Sequence, residues 1–154
     1  MKLLLLILLA FQSMKMVAQV HAGSISASLD VADQTLGQVT DYQFTITAMD
    51  TQLTDKYSYF IFEFDATLGV TIPSAPSCTG GTGFTQSAVS CTNDSATQIR
   101  LICHFCDFTS HPNYQITLNG LTNPYYALTQ SVSVTISTYD VNGNLLDQTS
   151  DSSI

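Results

Sequence analysis

Residues 101–108 read LICHFCDF, a Cys-x-x-Cys pair, Cys103 and Cys106, with His104 between them. Three chemistries share that spacing. A redox centre exchanges the pair between dithiol and disulfide, and it lowers the thiol pKa by placing it at the start of a helix. A zinc site takes four ligands, which Cys103, Cys106, His111 and either Cys78 or Cys91 supply on paper. A structural disulfide asks only for an oxidising compartment. The surroundings separate the three. CHFC closes a strand-like run and is followed by DFTSHPN, which has no helical pattern, so the redox reading lacks its helix. No second Cys-x-x-Cys or paired-histidine motif completes a zinc pattern, and no metal site is expected. Four cysteines in an exported chain form two disulfides, in any of three connectivities. The preferred pairing is Cys78 with Cys91, across the Gly-rich TGGTGFTQSAVS, and Cys103 with Cys106 as a small ring. A crossed pairing stays open, because a ring that short carries strain while Cys103 faces the core.

The remaining reactive residues form weaker patterns. Asn93-Asp94-Ser95 is an N-glycosylation sequon, consistent with an exposed loop beside Cys91. Asp140, Asn142, Asn144 and Asp147 offer oxygens to calcium, but Leu145 stands where an EF-hand needs its turning glycine. A metal-free hairpin accounts for them more simply. Glu63 and Asp65 fall on one face of a strand, where a solvated strand end is the simpler reading than a carboxylate pair for hydrolysis. GxSxG, HExxH and Walker motifs are absent from the sequence, so no catalytic residue is assigned and no enzyme is expected.

The compartment follows from the first 22 residues. MKLLLLILLAFQSMKMVAQVHA has a basic start, an apolar run from Leu3 to Phe11, and Val20 and Ala22 at the −3 and −1 positions of a cut. That is the plan of a secretory leader, and its apolar run falls well short of the roughly 20 residues a spanning helix needs. Cleavage after Ala22 leaves residues 23–154, a single-domain length that buries a core without a metal. Lys56 and Arg100 are then the basic residues against twelve acids, a formal charge of −10. Such a surface disfavours nucleic acid and anionic membranes as partners. It would suit divalent cations or basic proteins, but solubility outside the cell is the preferred reading.

The elements that must position these groups have a period of two. YQFTITA sets Tyr42, Phe44, Ile46 and Ala48 on one face, and SYFIFEF sets Phe60, Phe62 and Phe64 together. QIRLICHF aligns Ile99, Leu101, Cys103 and Phe105; YQITLNG aligns Tyr114, Ile116 and Leu118; SVSVTIST aligns Val132, Val134 and Ile136. Shorter candidates are ISASL near 25, GVTI near 70, SAVSC near 90 and LLDQT near 145. Asn142-Gly143 predicts a hairpin with positive φ at both residues. The best place for a short helical turn is TNPYYAL, residues 122–128. About eight or nine short strands separated by Gly, Asn, Asp and Pro predict an all-β chain, a single antiparallel sandwich or barrel.

The order LGQVTDYQFTITAMDTQLTDKYSYFIFEF, then SC at 77–78, VSC at 89–91, LTNP at 121–124 and SVTISTYDVNGNLLD resembles the immunoglobulin-like β-sandwich repeats of secreted and surface proteins of ciliated protists. The likeness spans nearly all of residues 23–154. It departs from those repeats in being a single domain and in carrying CHFC. The resemblance implies an immunoglobulin-like β-sandwich and a structural or adhesive surface protein that assembles. Two terminal segments fit assembly by strand exchange: SISASLD, with Ile25, Ala27 and Leu29 on one face, and LLDQTSDSSI. The expected partners are further copies of the chain or other extracellular surface proteins, without a cofactor. Completion of their own sandwich is the alternative role for both strands. A different class of function is a small ligand- or glycan-binding module using Tyr57, Tyr59, Tyr125 and Tyr126, provided that they share a surface patch.

Overall fold

The computed structural model describes residues 23–51, 53, 56–84, 89–104, 113–125 and 133–149. Nine strands run β1 (Gly23–Val31), β2 (Val39–Met49), β3 (Tyr59–Phe64), β4 (Ser77–Gly80), β5 (Val89–Ser95), β6 (Gln98–Cys103), β7 (Tyr114–Thr122), β8 (Val134–Tyr139) and β9 (Leu145–Thr149). They pair in the order β4-β7-β2-β1-β9-β8-β3-β6-β5. Every pairing is antiparallel except β1 with β9, which is parallel over Gly23–Ile25 against Asp147–Thr149. In an immunoglobulin sandwich one sheet runs D-E-B-A and the other G-F-C. Here β4-β7-β2-β1 and β9-β8-β3 reproduce that order, and the β5–β6 hairpin is inserted after the D strand to widen the second sheet beyond β3.

Alternation explains why the two sheets face each other. β2 buries Tyr42, Phe44 and Ile46; β3 buries Phe60, Phe62 and Phe64; β6 and β7 bury Ile99, Leu101, Ile116 and Leu118. The aromatic residues meet across the interface: Tyr42 lies edge-on to Phe64 at 5.9 Å and Phe44 lies against Phe62 at 4.8 Å. The sequence has no tryptophan, and phenylalanines fill the space between the sheets. Ala48 was expected on this buried face but is exposed. Between Ser26–Ala48 and Ala27–Ile46 the ladder slips by one residue, and the bulge turns Ala48 outward.

One polar knot lies inside this apolar frame. The Tyr42 hydroxyl donates to Asn123 Oδ1 at 2.7 Å, and Asn123 Nδ2 donates to the carbonyls of Asp33 and Thr35 at 2.6 and 2.9 Å. The Asn123 backbone N–H bonds the Gln38 carbonyl at 2.9 Å, so the residue after β7 holds the whole β1–β2 turn. Burial pushes the Tyr42 hydroxyl pKa above its ordinary value of 10.0.

The local elements differ from expectation in three places. GVTI contributes a single bridge, Thr71 to Thr122, in place of a strand. The short helical turn is 3-10 at Ala66–Leu68, capped by Asp65, while residues 126–128 of TNPYYAL lie outside the described residues. In the β8–β9 hairpin only Gly143 has positive φ, 83°, and its N–H bonds the Asp140 carbonyl at 3.1 Å. That closes a wider loop with a glycine bulge, not the tight two-residue turn. Asp140 favours the wider loop because Oδ1 accepts from the N–H groups of Asn142 and Asn144 at 2.9 and 2.8 Å.

β4 and β5 end the strand order, and the Cys78–Cys91 disulfide joins them with Cα atoms 5.8 Å apart. Replacing both cysteines by serine should lower stability by about 3 kcal/mol, the chain-entropy estimate for a loop of this size; urea midpoints of the two proteins measure it. Asn123→Ala should cost a similar ~3 kcal/mol by leaving the Tyr42 hydroxyl and two carbonyls unmet. An unchanged midpoint in the second variant would show that water replaces the knot.

Candidate functional site

Most of the acidic side chains among the described residues accept hydrogen bonds from the chain itself, four of them at turns or strand ends. Asp33 accepts from the Thr35 N–H at 2.8 Å, Asp50 from the N–H and hydroxyl of Ser24 at 2.7 and 2.9 Å, and Asp65 from the N–H and hydroxyl of Thr67, both at 2.8 Å. Asp41 accepts from the Gly120 N–H at 3.0 Å. Bonds from the Asn144 side chain and backbone hold the Asp140 carboxyl below its ordinary 3.8. The Thr35 hydroxyl and N–H do the same for Asp33, the N–H and hydroxyl of Ser24 for Asp50, and those of Thr67 for Asp65. Each bond favours the ionised form. The carboxylates needed for the calcium reading are therefore separated: Asp140 is bound into its own turn, whereas Asp147 is fully buried on β9. Glu63 and Asp65 edge a shallow groove with Thr97, Ser133 and Thr135, and Asp65 turns its Oδ1 to Thr67.

The outer faces of the two sheets differ in chemistry. On β1, β2, β4 and β7 the outward residues are mainly Ser26, Ser28, Thr45, Thr47, Thr79 and Thr117. On the five-stranded sheet, register aligns Leu145, Tyr139, Tyr59, Ile102 and Ser90 in one row from β9 to β5. Tyr59 and Tyr139 stack at 5.0 Å with their planes 10° apart, and the Arg100 guanidinium sits 4.8 Å over the Tyr59 ring. Arg100 is in turn held by Asp94, with Nη2 and Nε 2.6 and 2.7 Å from Oδ2. Cation–π and ion-pair contacts thus run in series across β8, β3, β6 and β5. At the end of the row Tyr57 is 55% exposed and edge-on to His104 at 5.6 Å, and His104 Nε2 lies 2.9 Å from the Ser90 hydroxyl.

Cys103 ends β6, is 1% exposed and is disulfide-bonded; Cys106 and His111 lie outside the described residues. With Cys78 and Cys91 joined, neither offers a thiolate to zinc. Asn93 lies in strand β5 and not in an exposed loop. It is half-buried, and Nδ2 donates to the Pro73 carbonyl at 3.1 Å. The tyrosines do not form one patch: Tyr57 and Tyr59 precede and open β3, while Tyr125 follows β7 at the opposite end of the sandwich. Tyr59 has one ring face on Tyr139 and the other under Arg100, leaving neither as a platform for a sugar. Tyr126 lies outside the described residues. The Tyr139–Tyr59–Arg100–Asp94 series was not read from the sequence; the facing positions 59, 102 and 139 become visible only once strand register is known.

No known protein family matches the chain, and no curated protein does. Similar solved structures include a cohesin module from a Clostridium perfringens family 33 glycoside hydrolase, 12% identical, with a TM-score of 0.49 over 83% of this chain and 93% of that one. BslA, a bacterial hydrophobin, is 16% identical with a TM-score of 0.42, covering 86% and 98%. The collagen-binding domain of a Staphylococcus aureus adhesin is 8% identical with a TM-score of 0.41, covering 81% and 93%. All three TM-scores fall below 0.5, so function must be argued from the chain's own geometry.

The turn carboxylates make stability fall in acid. Their folded pKa values are depressed, so the stability they add is present above about pH 4 and is lost as pH drops through the lower folded values. Thermal melts between pH 7 and pH 2 should show that decline, and Asp140→Asn should make it shallower; a flat profile would remove the turn bonds from the account.

Proposed function

We propose that the chain is an exported, disulfide-stabilised β-sandwich that serves as a structural or adhesive module outside the cell and meets its partner through the outer face of the five-stranded sheet. The observation that carries this reading is the Leu145-Tyr139-Tyr59-Ile102 row beside Arg100, set against a hydroxyl-bearing face on the other sheet. Tyrosine and arginine are enriched where proteins meet, and a cross-strand stack holds them in place before contact. The leader-like residues 1–22 support export, and the sequence pattern supports kinship with ciliate surface repeats. Glycosylation of Asn93 belongs to the same reading; a glycan added before folding would replace the Nδ2 bond to Pro73.

A finer form of the proposal makes the chain a filament or surface-layer subunit. β1 lies between β2 and β9 and brings Ile25, Ala27 and Leu29 against the core, so β1 of a neighbour could fill the same slot. In the described fold both terminal strands are paired within the chain, and exchange requires β1 to leave both neighbours.

Ile102→Glu puts a charge in the centre of the row without entering the core. Native mass spectrometry and surface labelling of exporting cells should find the unsubstituted chain in oligomers or held at the surface, and the variant as a folded monomer in the medium. Equal retention and assembly of both would overturn the sheet-face reading. Deleting residues 23–30 addresses exchange: a folded monomer that no longer polymerises supports it, and general unfolding sinks it.

A further inference from the structure

Among the described residues Asp147 is the one charged side chain that is fully buried. Its Oδ2 accepts from the Thr51 N–H at 2.7 Å, and its backbone N–H donates to Thr138 Oγ1 at 3.1 Å. Among the described residues Oδ1 has no hydrogen-bond partner. A buried charge is costly unless it is paired, so this atom calls for a donor.

Gly23 is the residue beside it. The two are opposite each other in the parallel register of β1 and β9, and a Cβ added to Gly23 would stand 2.1 Å from Asp147 Oδ1 and 2.8 Å from Asp50 Cβ. Standard backbone dimensions then place the Gly23 nitrogen within about 4.6 Å of Oδ1. Gly23 is also the residue that would begin the chain after cleavage following Ala22. Sequence and structure thus converge on one nitrogen.

We infer that removal of the leader creates the partner of Asp147. Water adds across the Ala22–Gly23 peptide bond under a leader peptidase, giving a carboxylate on Ala22 and an amine on Gly23. The amine takes up a proton, and the resulting ammonium pairs with Asp147 Oδ1. Before cleavage the same nitrogen is an uncharged amide. Processing therefore completes the β1–β9 junction as well as releasing the chain. The titratable groups facing the ammonium are Asp147 from β9 and Asp50 from the segment after β2; Thr51 and Thr138 are uncharged neighbours. The inference rests on the exported reading given above.

The test is made on the protein recovered from the medium of exporting cells. Intact mass identifies its first residue, and NMR of the Gly23 α-carbon follows the amine through pH. The expected result is a Gly23 start and an amine pKa about one unit or more above the ordinary 7.7–8.0, returning to that range in Asp147→Asn. Stability carried by the pair is then present below about pH 8 and lost as pH rises through the raised value. Retaining Ala22 should lower Tm by roughly 5 °C, and this penalty should vanish in the Asp147→Asn background. A chain starting at another residue overturns the processing step. A Gly23 start with an ordinary amine pKa overturns the ion pair and leaves the leader reading standing; the wild-type titration decides this even if the Asp147 variant does not fold.

Discussion

Three parallel residue pairs, Gly23 to Ile25 against Asp147 to Thr149, turn two sheets into one continuous order of nine strands. All the antiparallel ladders build the sheets separately; this junction alone among the described pairings crosses between them. The apolar faces gain burial only if the sheets stay opposed, because Phe44 and Tyr42 have their partners, Phe62 and Phe64, on the other side. At the opposite margin no ladder among the described residues joins β4 to β5, and the disulfide takes its place. Hydrogen bonds hold one side of the sandwich and a covalent bond the other. The short junction has room for no side chain at position 23, which is why a glycine stands against Asp147 and Asp50.

The same economy governs charge. A formal charge of −8 over the full sequence suggests cation binding or basic partners when it is read as a total. In the fold, Asp33, Asp50, Asp65 and Asp140 each accept donors within their own turn or the adjoining strand end, and Asp94 is occupied by Arg100. These carboxylates satisfy N–H groups that have no ladder partner where strands end, a requirement of any protein with many short strands. Part of the acidity is here a consequence of turn construction. It is weak ground for assigning a metal or a basic ligand.

The period-two runs carried most of the fold in the sequence because burial on one face forces alternation. Phe60, Phe62 and Phe64 could face no other way, nor could Ile116 and Leu118. β4 left no such trace: Ser77-Cys78-Thr79-Gly80 is short and polar, and it is a strand because β7 offers it an edge. GVTI has the composition of a strand but meets Thr122 at a single bridge. Long-range bonds were equally hidden. Asn123 reads as a turn residue before proline, while its role as the anchor of a turn 88 to 90 residues earlier depends on register between β2 and β7. The tyrosines failed as a group for the same reason: proximity in composition placed Tyr57 and Tyr125 together, and strand direction sends them to opposite ends.

Register also decides how the outer surface can work. A sheet that covers a core on one side must present every second residue to solvent, so the chemistry of the outer face is open to selection strand by strand. On β1, β2, β4 and β7 those positions are mainly polar, with Ser26, Ser28, Thr45, Thr47, Thr79 and Thr117 beside Gln43 and Gln115, and with Val39 as an exposed apolar residue. On β8, β3 and β6 they hold Tyr139, Tyr59, Ile61, Arg100 and Ile102 alongside the polar Thr135, Ser137, Glu63 and Gln98. Intramolecular stability explains part of this row, since Tyr59 stacks and Arg100 pairs. It does not explain why Ile61 and Ile102 stay half-buried at solvent-facing positions where the other sheet is mainly polar. Residues that gain from losing water, held on a rigid ladder, are suited to a second surface.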